Sequence, residues 1–131
     1  MLWFKKKKEK EAPEKIQEQV LTEERKEELL QFISTKTTEA TTLVEVEKAK
    51  AFEEIGLAYD ELEEENEAIL AFEKSLEVKK SIGASYKTLL KLYNKKRTEA
   101  LKANDQDTLQ VYLKKMDELM QISKDVTRGA R

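Results

Sequence analysis

The sequence predicts an all-α protein built from antiparallel helix hairpins, and three observations carry that prediction. Charged residues make up 40% of the 131, while glycine occurs three times and proline once. Glu, Lys, Leu and Ala dominate, and a chain so rich in helix formers and so poor in breakers favours helix. Apolar residues recur every three or four positions, the spacing of one helix face. The stretch 49–82, AKAFEEIGLAYDELEEENEAILAFEKSLEVKKSI, holds two such stripes, with a glycine in the first and an alanine at the matching level of the second. The length suits one compact domain. A basic, mostly disordered tail is expected at 1–21 and a helical domain at 22–128.

The elements follow in order. Residues 1–11, MLWFKKKKEKE, place their charges after the apolar residues and so do not read as a signal peptide. Leu2, Trp3 and Phe4 are costly to leave in water, and Lys5, Lys6, Lys7 and Lys8 follow at once. Aromatic rings favour the headgroup zone of a bilayer, and a lysine near an anionic surface adds about 1 kcal/mol. Leu2–Lys8 is therefore a candidate membrane contact, against the alternatives of a free tail or of Trp3 packed on the domain. Pro13 separates the tail from a first helix expected at Thr22–Ser34, with Thr22 as its cap and Glu23 and Glu24 at its positive end. Residues 34–42, STKTTEATT, carry too many threonines for a helix interior and read as a loop.

Thr42 and Glu45 have the spacing of a capping box, opening a helix to about Glu64 with Val44, Lys48, Phe52, Ile55 and Tyr59 inward. Asn66 is the expected cap of the next helix, which runs to about Lys80 with Ala68, Ile69, Phe72 and Leu76 inward. Ser81 and Gly83 break the chain. Another helix is expected at Ala84–Ala103, carrying Tyr86, Leu89, Leu90, Tyr93 and Leu101. After a turn at Asn104-Asp105, the last is expected at Asp107–Val126, with Leu109, Tyr112, Leu113, Met116, Leu119, Met120 and Ile122. Arg128–Arg131 should fray.

Residues 49–82 resemble the tetratricopeptide repeat, a 34-residue helix-turn-helix unit. The large residue at its fourth position is here Phe52. Leu-Gly at the seventh and eighth is Ile55-Gly56, and the tyrosine at the eleventh is Tyr59. Small, aromatic and small residues at the twentieth, twenty-fourth and twenty-seventh are Ala68, Phe72 and Ser75. Lys80 stands where the family has proline. Residues 83–126 look like a degenerate copy, with Tyr86, Leu89 and Tyr93 in register. Leu90 replaces the glycine, and about one extra turn in each helix brings Leu113 to the place of Phe72. The resemblance implies a short right-handed superhelix, or a helical bundle, with the first helix covering one face. A mid-helix glycine costs about 1 kcal/mol against alanine, and close approach of the paired helices at Gly56 and Ala68 is the expected compensation.

The residues argue against chemistry. There is no histidine and no cysteine, hence no imidazole base, no thiolate nucleophile and no disulfide or thiolate metal site. The glycines, at 56, 83 and 129, cannot cradle a phosphate. The acidic cluster at Glu61, Glu63, Glu64, Glu65 and Glu67 lacks calcium-loop spacing. No catalytic residue, metal or cofactor is expected.

Partner binding is the expected function. The resemblance implies a groove lined by the first helix of each hairpin. Carried over by position, it would present Lys50, Glu53, Leu57, Asp60 and Glu61 from one copy, and Lys87, Lys91, Asn94 and Lys95 from the other. Lys87 and Lys91, one turn apart, could grip a carboxylate of another protein or peptide, or pair with Glu53 and Asp60 across the groove. Residues 45–77 carry 12 acids against 3 bases, and residues 79–131 carry 13 bases against 6 acids. Such segregation suits internal pairing, a homodimer or an oppositely charged partner. The short basic run Lys95-Lys96-Arg97 with Lys102, lacking interleaved aromatics, argues against nucleic acid. Absence of cysteine fits a cytoplasmic protein, with the tail as a route to the inner membrane face. The alternative function is a peripheral membrane or assembly protein docked through MLWFKKKK.

Overall fold

The computed structural model describes residues 21–129, all of whose regular elements are α-helices. Leu2–Lys8, the candidate membrane contact, lie outside the described residues, as does Pro13. The helices are α1 (Glu23–Ala40), α2 (Glu45–Glu61), α3 (Glu65–Val78), α4 (Ala84–Lys102) and α5 (Gln106–Gly129). Each packs on its sequence neighbours, α2 with α3 most extensively, and α2 also touches α4. Cross-helix pairs give the directions. Arg25 and Lys36 of α1 meet Glu61 and Glu54 of α2, so these two helices are antiparallel. Ser85 and Lys95 of α4 meet Ser75 and Glu65 of α3, again antiparallel. Phe72 and Ser75 of α3 meet Gly56 and Ala49 of α2, so that pair is antiparallel too, and Glu73 and Lys80 meet Lys115 and Asp125 of α5. α2 and α4 consequently run in one direction, and α3 and α5 in the other.

α1 begins as expected, with the Arg25 N–H donating to Thr22 Oγ1 at 3.0 Å. It does not stop at Ser34. Its threonines turn their hydroxyls back onto the helix: Thr38 donates to the Ser34 carbonyl at 3.1 Å and Thr41 to that of Thr38 at 2.8 Å. Such back-bonding satisfies the hydroxyls inside a helix. Burial of Ala40 and the 3.2 Å Lys36–Glu54 pair hold the extra turns against α2. The expected capping box does not form, because the Thr42 hydroxyl donates to the Glu39 carbonyl and so serves the end of α1. Val44 occupies the cap position of α2 without a side-chain bond and is 68% exposed instead of inward.

α2 ends at Glu61, not Glu64, and Asn66 lies within the first turn of α3 rather than capping it. The cause is a tight stop at Glu63, which has φ 62°. There the Glu64 N–H reaches the Tyr59 carbonyl at 2.9 Å and the Glu63 N–H reaches that of Asp60 at 3.0 Å. This is the Schellman arrangement, which closes a helix through one left-handed residue. α4 ends identically. Asn104 has φ 55°, the Asp105 N–H donates to the Ala100 carbonyl at 2.9 Å, and the Asn104 N–H to that of Leu101 at 3.2 Å. Asp105 then caps α5, accepting from the Thr108 N–H at 3.1 Å and its hydroxyl at 2.7 Å. Those bonds hold the Asp105 carboxyl below the usual carboxylate range, the hydroxyl contributing most. Both hairpins thus turn on one device.

The core lies in two clusters. One joins Leu29 and Ile33 of α1 to Ile55 and Ala58 of α2 and Ala71 of α3. The other joins Ala68, Ile69, Phe72 and Leu76 of α3 to Leu89, Leu92 and Tyr93 of α4 and Leu119 of α5. Between them, Gly56 packs against the ring of Phe72, which is fully buried. A Cβ at Gly56 would stand 2.6 to 2.9 Å from three atoms of that ring. The close approach at Gly56 therefore exists, and the side-chain atoms nearest to it are those of the Phe72 ring.

The second hairpin is looser. α4 and α5 are longer than α2 and α3 yet touch less. Leu113, expected in the place of Phe72, is 40% exposed, and Met120 and Leu101 are also exposed. Tyr112, its ring 5.8 Å from that of Tyr93, and the buried Leu119 make the contact instead. α5 continues through Arg128 to Gly129 rather than fraying after Val126.

The turn geometry yields a test. An L-residue held left-handed costs about 1–2 kcal/mol, partly offset in glycine by its freer unfolded chain. Glu63→Gly should therefore stabilise the protein by about 0.5–1 kcal/mol, read as a higher urea midpoint at unchanged slope. A lower midpoint would contradict the strained stop at the end of α2.

Candidate functional site

The candidate surface is built on the parallel pair α2 and α4, and the two helices are locked together beneath it. Ser85, in the first turn of α4, is fully buried, and Ser75 of α3 nearly so. The Ser85 N–H and hydroxyl both donate to Glu53 Oε2 of α2, at 2.9 and 3.0 Å. The Ser75 hydroxyl donates to the Ala49 carbonyl at 2.7 Å, and the two serine oxygens stand 3.1 Å apart. Gly83, at the cap position of α4, supplies no side-chain bond. Glu53 takes that role from a neighbouring helix and puts its carboxylate at the positive end of α4. It is engaged within the fold and pairs with neither Lys87 nor Lys91.

The predicted residues do not share one groove: most divide among three clefts, and Lys87 and Asn94 line none of these. Lys50 and Glu53 line one of about 260 Å³ with Ala49, Ser75, Lys79 and Ser81. Asp60, Lys91 and Lys95 line another of about 260 Å³ with Glu63, Glu65 and Leu92. Leu57, 42% exposed, belongs to a cleft shared with α1. Asn94 is exposed and accepts from Arg97 Nη2 at 2.7 Å. Lys95 bonds to Glu65 of α3, and Lys96 approaches the same carboxylate at 3.5 Å. The Lys95 bond holds Glu65 below the usual carboxylate range and raises Lys95. Lys50, Lys87 and Lys91 are exposed. Among the described residues, none of these three lies within ion-pair distance of a carboxylate.

Two clefts are not expected as such from the sequence, although Leu57 and Glu61 of the second are expected in the groove. On the side of α3 and α5, a cleft of about 330 Å³ is lined by Glu73, Leu76, Leu89, Tyr93, Lys115 and Leu119 among others. Tyr93 Oη and Lys115 Nζ both donate to Glu73 Oε2, at 2.5 and 2.8 Å. Burial first, then the bond to Glu73, raises the Tyr93 phenol and keeps it protonated. The other feature is the α1–α2 cleft of about 490 Å³, with Leu29, Phe32, Leu57 and Ala58 as its apolar surface. Arg25, Glu28, Glu54 and Glu61 rim it. Arg25 bonds to Glu61 through Nε at 2.7 Å and Nη2 at 2.9 Å, holding that carboxyl below the usual range. Leu57 and Phe32 each lie within apolar runs, IGLAY and LLQFI, which do not mark them as exposed.

Among the described residues, no three carboxylates gather as a metal site would require, and no helix is long and apolar enough to cross a membrane. No family model, curated protein or solved structure matches the chain.

The joint between α2 and α4 can be tested directly. Glu53→Ala removes the acceptor for two donors of the buried Ser85. It should lower stability by about 1–2 kcal/mol in urea unfolding, whereas Glu53→Gln, which keeps an acceptor oxygen, should lower it less. A neutral Glu53→Ala would contradict the capping role.

Proposed function

We propose that this protein is a non-enzymatic interaction module, similar in plan to the tetratricopeptide repeat, that holds an acidic peptide or helix of another protein against α2 and α4. One observation carries this reading. Lys50 of α2 and Lys87 and Lys91 of α4 are exposed on the side-by-side helices with no carboxylate partner among the described residues. Lysines left without an internal partner are available to carboxylates from outside, and the exposed Leu57 of α2 offers an apolar anchor. Asp60, Asn94 and Lys95 flank them, with Lys95 sharing Glu65 between fold and partner. The alternation of helix directions supports the same plan, because it sets the first helix of each hairpin on one side. The absence of histidine and cysteine from the sequence supports a role without catalysis.

The test is affinity capture from the native organism with the wild type and with Lys87→Glu/Lys91→Glu. Reversing two exposed charges that meet carboxylates should weaken the captured complex about tenfold or more, with far-ultraviolet dichroism unchanged. Equal recovery of every partner by both proteins would overturn the reading.

A further inference from the structure

The α1–α2 cleft has an apolar surface in the open and an acidic rim. Phe32 is 38% exposed and Leu57 42%. Around them stand three carboxylates, Glu28, Glu54 and Glu61, against Arg25. Lys36 reaches Glu54 at 3.2 Å from the far end. The surroundings are acidic too, since residues 21–64 carry 13 acids and 5 bases. An occupant matched to this cleft is apolar, preferably aromatic, with cations attached.

This chain contains such a segment, Leu2-Trp3-Phe4 followed by Lys5–Lys8. It is tethered at the right place. Arg25, in the first turn of α1, lines the cleft, so the described chain begins at one end of it. From Arg25 to Phe32 is about 10 Å along the helix. The dozen residues between Lys8 and Leu21 span up to about 40 Å when extended. A tether of that length raises the local concentration of the segment to the order of millimolar, which favours it over untethered competitors. An anionic membrane is the poorer match, because it would receive the lysines together with the acidic hairpin that follows them.

We propose that residues Leu2–Lys8 dock in the α1–α2 cleft of their own chain. Trp3 and Phe4 lie against Phe32 and Leu57, and the lysines lie over Glu28, Glu54 and Glu61. The segment then covers Leu57, the apolar residue of the α2–α4 surface, although the docking itself requires no partner protein.

Trp3 is the sole tryptophan, so its fluorescence reports the segment in the full chain. The expected result is a blue-shifted emission shielded from acrylamide and independent of protein concentration. Both properties should be lost in Leu57→Asp, a change at an exposed position, and in the fourfold Lys→Glu variant of positions 5–8, with dichroism confirming that both remain helical. Emission of a water-exposed indole in the wild type would overturn the proposal. So would shielding that survives Leu57→Asp, which would place Trp3 elsewhere on the domain. Shielding that grows with concentration would assign the cleft to a second copy. Shielding that appears only on adding phosphatidylserine vesicles would assign the segment to the membrane.

Discussion

The seat of the Phe72 ring on Gly56 is the constraint from which the other contacts of the domain follow. Glycine inside α2 sacrifices about 1 kcal/mol of helix propensity. It lets a fully buried aromatic ring lie directly against the backbone of the neighbouring helix, and burying such a ring contributes about 1.5–3 kcal/mol. Once α2 and α3 are drawn that close, the other positions between them must be small. Ala49, Ala51, Ala58, Ala68 and Ala71 are all buried. The larger apolar residues are then placed to either side, Leu29, Ile33 and Ile55 towards α1, and Leu76, Leu89 and Tyr93 towards α4.

The same closeness governs how α4 joins. Ser75 lies one turn beyond Phe72 on the buried face of α3, near enough to the Ala49 carbonyl to bond it, and Ser85 of α4 meets it there. Glu53 completes the joint from α2. Three helices thus meet at a small, fully hydrogen-bonded polar centre, and no buried side-chain nitrogen or oxygen among the described residues lacks a partner. Such centres fix register more firmly than apolar contact does, since a shift of one residue would strand several polar atoms. α4 is therefore held parallel to α2.

How far the sequence alone reached follows from the physics of each signal. The hairpin at 49–82 was legible because its contact needs particular residue sizes, glycine opposite a ring and alanines around it. That the atoms nearest Gly56 belong to the Phe72 ring was not legible, since pattern gives the level of two residues along their helices but not which side chain crosses the gap. The threonines of 34–42 were misread because propensity counts them as poor helix interiors, while Thr38 bonds its own helix and Lys36 is tied to α2. The stop at Glu63 was invisible because no glycine marks it, whereas Asn104-Asp105 announced the same geometry at the end of α4. For the candidate surface, Lys87 and Lys91 are exposed and one turn apart on α4. The engagement of Glu53 was hidden, because a carboxylate capping a distant helix looks in sequence like any surface glutamate. The α1–α2 cleft was hidden for the complementary reason, its apolar residues being spread over two helices.

A double-mutant cycle tests the central contact most directly, combining Gly56→Ala with Phe72→Leu and reading each stability in urea. If the ring occupies the space that a Cβ at 56 would need, the alanine is destabilising beside phenylalanine. Beside the smaller leucine it loses that penalty, and its helix propensity shows. The account predicts a coupling of about 1–3 kcal/mol between the two positions. Simple additivity, or an alanine that stabilises the wild-type background, would mean that the ring does not rest on Gly56, and the arrangement of α4 derived from that contact would fall with it.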